Sequence, residues 1–380
     1  MPDRCDVLVI GGGPAGSSLA TRLRRKGIDV VMATSLPSHE HLRETLSPAT
    51  LGEMAWLGVD TQTLRRVSME AYGIEAYWGT ERSVFHSHVL DPPFGHGFHV
   101  DRGDLQRWFH EVARAEGVRV LEGLEFHSAT RHGNRWRIAF TAAPELIETA
   151  FAVDATGRSA RVARSMGRRR EQLDFLCCVG ATVPSDSVTA SSTLRIEAAP
   201  YGWWYVAPNG SDHSFVGLVS DADILRSQRA QDGGAWARLF TGTTLARGGV
   251  TPPHVESFAC SSSRLDQVSG EGWLAVGDAA ATFDPLSSLG VVHALVSARQ
   301  GCNTIANFLS GTSEWSREYD IESRRIFDAY QTTRASHYAL ERRWPRSPFW
   351  ARRVNRESVA RFKAGLRPSG ADPETVALEV

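Results

Sequence analysis

A glycine-rich turn near the start of the chain carries the residue types needed to hold a phosphate group. It reads Gly11-Gly12-Gly13-Pro14-Ala15-Gly16, with an apolar run over 5–10 before it and apolar residues at helical spacing after it. Gly11 suits a tight turn, Gly13 leaves backbone open to a pyrophosphate, and Gly16 permits close helix–strand packing. The start of the helix adds free N–H groups. We therefore expect a dinucleotide to be bound by Gly11, Gly13, Pro14, Ala15 and Gly16.

Two further polar positions follow the second predicted strand, over 29–33. An acidic residue is expected near its end to hold ribose hydroxyls, and Thr34 stands there instead. A threonine hydroxyl can make one such hydrogen bond but carries no charge. Arg43 is a candidate phosphate contact, although a solvated loop arginine is an equal alternative.

Composition describes an ordinary globular protein. The 380 residues carry a net charge of -1, with 42% hydrophobic and 22% charged residues. A near-neutral chain makes no electrostatic case for binding nucleic acid or an anionic membrane. There is no apolar run long enough for a membrane span, and Asp3 and Arg4 leave no room for a signal peptide, so we expect a cytoplasmic protein. The five cysteines lack metal-ligand spacing, and no metal is expected.

The pattern of elements predicts an α/β frame that is interrupted and then resumed. Apolar strands lead into Asp154-Ala155-Thr156-Gly157 and into Gly277-Asp278, as strands of one parallel sheet would. Short alternating strands over 171–260 predict an inserted antiparallel sheet. The predicted divisions are a discontinuous nucleotide domain (1–70, 101–170 and 265–310), a substrate domain (71–100 and 171–264), a helical region (311–364) and a flexible tail (365–380).

Three histidines lie where chemistry could need them. His86 and His88 share one strand face and could line a substrate chamber, whereas no cysteine or carboxylate at matching spacing supports a metal site. His293 begins a predicted helix and could act as a base near neutral pH. A buried, hydrogen-bonded structural histidine remains the alternative for each.

Taken together and in order, 11–16, 154–161 and 277–290 resemble the FAD-binding frame of flavoprotein monooxygenases of the para-hydroxybenzoate hydroxylase type. The resemblance implies a glutathione-reductase-like Rossmann sheet with an inserted antiparallel β-sheet domain and a helical C-terminus. It also implies FAD as cofactor, with Arg102 along it and a helix start at the flavin edge. The implied FAD contacts, besides the glycine turn, are Asp154, Gly157, Gly277, Asp278, Pro285, Leu289 and Gly290.

Within that superfamily the chain resembles the tryptophan-halogenase-like branch. Residues 201–208 (YGWWYVAP) are similar to its GWxWxIP signature, and 284–290 (DPLSSLG) to its DPLES-type turn. The resemblance suggests Trp203 and Tyr205 as substrate contacts on one strand face, with Trp204 in the core. The candidate catalytic residues are His293, Ser287, Ser288 and Tyr205.

Departures from that branch decide the predicted reaction. No lysine occurs between Lys26 and Lys363, although the halogenases use one beside the substrate. Ser287 replaces the glutamate of the turn, and Tyr205 the second tryptophan of the signature. A non-halogenating member is therefore expected, and the branch includes monooxygenases that hydroxylate tryptophan residues while a protein-derived quinone cofactor matures.

The expected reaction is hydroxylation of an electron-rich aromatic through a flavin hydroperoxide. The substrate could be an indole-bearing small molecule, or a tryptophan in a peptide or protein client. Electrons would come from NAD(P)H or from a separate flavin reductase, because no second nucleotide turn is present, and O₂ is the oxidant. Three alternatives stay open: halogenation of a phenol or pyrrole, reduction or dehydrogenation of a hydrophobic substrate, and a non-catalytic flavin-binding assembly factor.

Overall fold

The computed structural model describes residues 3–36, 43–58, 62, 64–65, 68–87, 95–141, 146–188, 192–210, 212–311 and 315–353. In chain order the first elements are β1 (Asp3–Ile10), α1 (Pro14–Arg25), β2 (Val30–Thr34), β3 (Arg43–Leu46), α2 (Pro48–Trp56), β4 (Ser68–Ala71), β5 (Gly73–Tyr77), β6 (Val84–Ser87), β7 (Gly97–Asp101), α3 (Arg102–Ala115), β8 (Arg119–Glu122), β9 (Phe126–His132), β10 (Arg135–Phe140), β11 (Ile147–Asp154) and α4 (Arg161–Ser165).

The remaining elements are β12 (Arg170–Gln172), β13 (Leu176–Pro184), β14 (Leu194–Ala199), β15 (Gly202–Asn209), β16 (His213–Asp221), α5 (Ala222–Ser227), α6 (Gly233–Thr241), β17 (Glu256–Ala259), β18 (Ser263–Leu265), β19 (Ser269–Gly270), β20 (Trp273–Ala275), β21 (Ala281–Thr282), α7 (Gly290–Leu309), α8 (Trp315–Leu340) and α9 (Pro348–Ala351).

A parallel sheet with strand order β8-β2-β1-β11-β20 forms the frame. The later residues of its central strands, 7–10 and 151–153, are apolar because helices cover both faces of a parallel sheet. β1 contributes Val7, Leu8 and Val9, all fully buried. The hairpin β9–β10 and the short β19 add antiparallel strands. The carboxyl ends of β1, β11 and β20 therefore lie side by side, which is where open α/β sheets bind ligands.

A second sheet of seven strands, in the order β17-β13-β16-β15-β14-β5-β6, comes mostly from the inserted segment. Only the β14–β5 pair is parallel; the others are antiparallel. Successive side chains of β15 point to opposite faces. Trp204 packs on one face with Trp236 and Phe240, and Trp203 packs on the other.

Two three-stranded sheets join these layers. One is β3-β7-β4, and β3 and β7 also lie against β15 of the inserted sheet. The other is β12-β18-β21, which connects the inserted segment to the turn after β20.

The C-terminal helices fasten the inserted sheet to the frame. Tyr319 at the start of α8 donates a hydrogen bond to the Ala275 carbonyl (2.8 Å), and Tyr338 near its end is buried against the inserted sheet. Arg353 follows α9 and pairs with Asp221 while lying 3.7 Å from the Phe349 ring centroid.

These observations confirm the predicted fold class: a parallel α/β frame, an inserted antiparallel sheet and a helical C-terminal region. The boundaries of the divisions remain predictions, and the predicted flexible tail lies outside the described residues. No helix among the described residues combines the length with the apolar content that a membrane span requires.

Candidate functional site

The glycine turn between β1 and α1 has the shape predicted for a phosphate cradle. A Cβ atom on Gly11, which has a φ of +114°, would lie 2.0 Å from the Ala155 carbonyl oxygen, and one on Gly16 would lie 2.0 Å from the Gly11 carbonyl oxygen. Both positions therefore require glycine for packing. A Cβ on Gly13 would meet no protein atom within 4 Å. Gly13 caps α1, and Pro14 and Ala15 begin it, so the space beside Gly13 faces the helix N-terminus, where N–H groups favour phosphate.

Backbone hydrogen bonds bring the three predicted motifs together. Ala155 donates to the Ile10 carbonyl (2.8 Å), and Val276 donates to the Asp154 carbonyl (2.9 Å). Gly277 has a φ of +57° and packs so closely on α1 that a Cβ would lie 2.7 Å from Ala15 Cβ. The carboxyl ends of three neighbouring parallel strands thus lie side by side, as predicted for one parallel sheet.

Asp154 has a different role from the one predicted. Its fully buried carboxylate accepts hydrogen bonds from the backbone and hydroxyl of Thr156 (2.9 and 2.7 Å) and from the Ala163 amide (2.8 Å). Burial raises the pKa of this carboxyl, and these hydrogen bonds oppose the rise. Asp154 therefore shapes the turn that contains Gly157 and does not face a ligand.

Thr34 is also engaged inside the protein. Its hydroxyl accepts a hydrogen bond from the Gly12 amide (3.2 Å) and donates to the Ser35 carbonyl (3.2 Å). His110 reaches the Gly12 carbonyl (2.7 Å), and its other ring nitrogen lies 3.3 Å from Glu122, the β8 residue in register with Thr34. The ribose contact of Thr34 stays a prediction, because the hydroxyl mainly closes the glycine turn.

Four half-exposed charged side chains form two neighbouring pairs close to the Gly277 turn. Arg102 lies 3.7 Å from Glu44, and Arg158 lies 3.6 Å from Asp278. Arg102 and Asp278 were predicted as cofactor contacts and Arg158 lies in a run that could form a phosphate face, whereas Glu44 was assigned no role. Arg43 precedes Glu44 in β3, and its side chain lies outside the described residues.

Arg170 holds the Asp278 turn from behind. The sequence favours a solvated face for the arginine run 168–170, and for Arg170 this is wrong. Its guanidinium donates to the carbonyls of Asp278 (2.9 Å) and Ala279 (2.7 Å) and to Ser263 (2.9 Å). Burial lowers its pKa to about 10. A run of arginines gives no sign of which member turns inward, so sequence patterns miss this contact.

The predicted DPLES-type turn, 284–290, contains a short 3₁₀ helix, Pro285–Ser287, before α7. Ser287 donates to the Asp284 carbonyl (2.7 Å), and Ser288 has a φ of +50°. A non-glycine residue in this region is strained, and such strain clusters at functional sites. Pro285 and Gly290 are exposed while Leu289 is half-buried, so part of this turn lies at the protein surface. The proposed roles of Ser287 and Ser288 remain predictions.

Asp284 anchors that turn to α8. Its carboxylate is 1% exposed and accepts hydrogen bonds from the Leu286 amide (3.0 Å), Arg334 (2.9 Å) and Tyr338 (2.8 Å). Trp203 in turn donates to the Tyr338 hydroxyl (3.1 Å). A chain of hydrogen bonds therefore links Trp203 of the inserted sheet, through Tyr338, to the 284–290 turn.

His293 does not suit the proton-accepting role predicted for it. The ring is 5% exposed, packs edge-on against Phe283 at 4.6 Å, and Nε2 has no hydrogen-bond partner among the described residues. Burial lowers its pKa to about 4. Helical spacing placed His293 one turn into α7 but could not tell that this turn faces the protein interior.

Of the predicted substrate contacts, Tyr205 and Trp203 lie on the expected face of β15. Trp203 is 2% exposed and hydrogen-bonded, so it packs behind the chamber wall rather than facing a substrate. Tyr205 is half-buried, with its hydroxyl 3.7 Å from Cys178 Sγ. Burial raises the pKa of Tyr205 well above its usual value. Trp204 packs in the core, as expected.

The two remaining predicted substrate contacts are the histidines in and after β6. His86 is exposed on β6 at the edge of the seven-stranded sheet, which does not support a place in a chamber. His88 lies outside the described residues.

The described residues fit an FAD molecule on the evidence of the cradle itself: open space at Gly13, a helix N-terminus and half-exposed charged side chains beside it. Comparison with known proteins agrees. The FAD binding domain family matches residues 4–336. The FAD-dependent oxidoreductase LodB of Marinomonas mediterranea is 26% identical over 364 residues, which cover 92% of this chain and 96% of LodB.

Two further similarities are to a curated relative and to a solved structure. The tryptophan 2-halogenase of Chondromyces crocatus is 28% identical over 89% of this chain, which spans 66% of that enzyme. The solved structure of QhpG, a peptidyl tryptophan dihydroxylase essential for tryptophylquinone cofactor biogenesis, has the same fold, with a TM-score of 0.71 and 22% identity over 92% of this chain and 78% of QhpG. The matched residues include nearly all of the site, and the chain belongs to the FAD binding domain family as an FAD-dependent oxidoreductase.

Proposed function

We propose that this enzyme is a monooxygenase that hydroxylates an electron-rich aromatic ring. The observation that carries the proposal is that Leu286, in the turn expected beside the flavin, packs against the same cluster as half-buried Tyr205 of the inserted sheet, with Trp203 behind it. An aromatic wall next to the redox centre suits a flat, apolar substrate, and apolar walls keep water from a reactive intermediate.

The chain's own residues position and enclose the reactants. FAD, when bound and reduced, supplies the electrons that activate O₂. The glycine turn and α1 hold the pyrophosphate, and Asp284 fixes the 285–287 turn through the Leu286 amide. Tyr205 continues into an aromatic row with Phe215 and Phe258, with ring centroids 5.7 and 6.3 Å apart, which extends the same wall.

The substrate is proposed to carry an indole, as a small molecule or as a tryptophan within a peptide or protein client. The similarity to a peptidyl tryptophan dihydroxylase and to a tryptophan 2-halogenase supports an indole ring. Electrons are proposed to come from NAD(P)H or a partner reductase, since the chain has no second glycine-rich nucleotide turn.

Halogenation of a phenol or pyrrole is the second candidate, favoured by the 28% identity with the tryptophan 2-halogenase. Against it, no lysine occurs between Lys26 and Lys363. Ser287 also donates its hydroxyl hydrogen to the backbone, and it cannot act as a carboxylate.

The test uses the FAD-loaded enzyme, reduced anaerobically and then mixed with air, indole-bearing substrates and phenols, with and without bromide. We expect a mass gain of one oxygen that does not depend on bromide. A bromide-dependent gain of bromine would establish halogenation instead, and a change of two hydrogens without oxygen would establish a reductase or dehydrogenase. Bound FAD with no substrate-dependent turnover would indicate an assembly factor.

A further inference from the structure

Glu44 lies beside the predicted cofactor contact Arg102, on a strand that packs against the strand of Tyr205. These two strands are β3 and β15. A third of its side chain (33%) is exposed, so the carboxylate is not sealed in the core. Its neighbour Arg102 is 3.7 Å away and begins α3. Nothing in the residue pattern of 43–48 singled out this glutamate.

The charges around Glu44 come from four different elements. Arg102 at the start of α3 and Arg158 after β11 attract its carboxylate, whereas Asp278 after β20 repels it. Tyr205 on β15 is close enough that the negative charge of Glu44 contributes to raising the Tyr205 pKa. Glu44 therefore lies between the predicted cofactor contacts and the predicted substrate wall.

Desolvation is the largest influence on Glu44 and raises its pKa, with Asp278 acting in the same direction and the two arginines against it. A carboxyl with a raised pKa is a better proton acceptor near neutral pH than an ordinary surface glutamate. Glu44 is therefore a partly exposed titratable group near the predicted cofactor contacts, whereas His293 is buried.

We infer that Glu44 is the catalytic base that exchanges a proton with the aromatic substrate. This inference rests on the proposed function. The Glu44 carboxylate accepts the proton of the ring's N–H or O–H group while the ring carbon forms its bond to one oxygen atom of O₂. The carbon then loses its own proton to water, and Glu44 returns its proton to the ring heteroatom. The other oxygen atom leaves as water, with both electrons supplied by NAD(P)H through FAD.

The test compares the wild type with Glu44→Gln and Glu44→Asp, and with Glu70→Gln as a control. Gln keeps the size of the side chain but cannot accept a proton, and Asp restores a carboxylate. Glu70 belongs to β4 of the same small sheet but forms a surface ion pair with Arg65. Product formation is followed against pH, and the reduction of FAD is followed separately.

We expect Glu44→Gln to slow oxygenation about a hundredfold or more, the usual contribution of a general base, while FAD binding and reduction persist. The oxygenation rate of the wild type should rise with pH through the raised pKa of Glu44, and the rate of Glu44→Gln should not show this rise. Glu44→Asp should recover part of the lost rate and of its pH dependence. Glu70→Gln should match the wild type in both. Wild-type turnover and pH dependence in Glu44→Gln would overturn the inference.

A second readout needs neither FAD nor turnover. Carbon-13 NMR of glutamate carboxyls in the apoprotein, titrated with pH, should show one carboxyl with a raised pKa that is absent from Glu44→Gln and shifted by 5-hydroxyindole. If the wild type oxygenates no aromatic, the proposed function fails, and this titration decides the inference separately. An ordinary pKa, or no response to 5-hydroxyindole, contradicts it.

Discussion

The hydroxyl of Tyr338 donates a 2.8 Å hydrogen bond to the carboxylate of Asp284, although the two residues are 54 positions apart. This contact joins the end of α8 to the turn expected beside the flavin. The same hydroxyl accepts a hydrogen bond from Trp203, which belongs to the inserted sheet. Three separate parts of the fold therefore meet at one buried, charged network.

Tyr338→Phe should destabilise the protein by about 2 kcal/mol, because a buried hydrogen bond to a charged group is lost and Asp284 keeps one fewer donor. Urea unfolding measures the change. Tyr77→Phe is the matched control, since its hydroxyl makes only a 3.4 Å contact with Glu75, and it should shift stability by less than about 0.5 kcal/mol. Equal effects in the two variants would mean that the network contributes little.

Gly13→Ala should separate cofactor binding from folding. A Cβ at Gly13 meets no protein atom, so unfolding should be unchanged while FAD affinity falls about tenfold or more, equivalent to about 1.4 kcal/mol. Gly16→Ala should instead cost about 3 kcal/mol of stability, because its Cβ would collide with the Gly11 carbonyl. Fluorescence titration with FAD and thermal unfolding measure the two effects. Unchanged FAD affinity in Gly13→Ala would place the pyrophosphate elsewhere.

Arg170→Met should weaken FAD binding about tenfold, equivalent to about 1.4 kcal/mol of binding free energy, because the carbonyls of Asp278 and Ala279 lose the guanidinium that holds them. Arg169→Met is the control, because Arg169 is the exposed neighbour in the same run. Equilibrium dialysis of FAD against both variants gives the comparison. Identical affinities would show that the Asp278 turn holds its shape without Arg170.

His293 should make the protein sensitive to acid without being needed for turnover. Its pKa is about 4 in the folded protein and 6.5 as the reference value, so the neutral form is favoured by folding. That stability is fully present above pH 6.5 and is lost as pH falls towards 4. The difference of 2.5 pKa units corresponds to about 3 kcal/mol at 1.36 kcal/mol per unit.

His293→Leu should remove that part of the acid sensitivity and keep most of the oxygenation rate. Urea unfolding at pH 7 and pH 4 measures the first effect, and product formation the second. The control is His127→Leu, at an exposed position of β9, where no buried histidine is removed, and it should leave the acid sensitivity as in the wild type. Loss of oxygenation by His293→Leu with the fold intact would restore His293 as the candidate base.

The sequence predicts the local parts of this site well and the long-range parts poorly. Gly11 and Gly16 are recognisable because their conformations are dictated by neighbours within one strand–turn–helix unit. The orientation of His293 is set by α8 and Phe283, which helical periodicity in α7 does not encode. Arg170 and Tyr338 act through contacts with residues 54 or more positions away, so no spacing rule identifies them.

The misassigned Asp154 illustrates the same limit. A strand ending in an acidic residue at a nucleotide site predicts a ligand contact, yet the turn that follows folds back and uses both carboxylate oxygens. Glu44 is the reverse case, since a glutamate on a short loop strand carries no motif. Its chemical surroundings arise only because β3 packs against β15 and lies near the turns that contain Arg158 and Asp278.

The most direct test of the central claim is turnover under ¹⁸O₂ with bromide present, using the FAD-loaded enzyme, NADPH or photoreduced flavin, and an indole-bearing peptide. The account predicts a product that carries one ¹⁸O atom and no bromine, with O₂ consumed in step with product. A brominated product, or an oxygen atom derived from water, would contradict it.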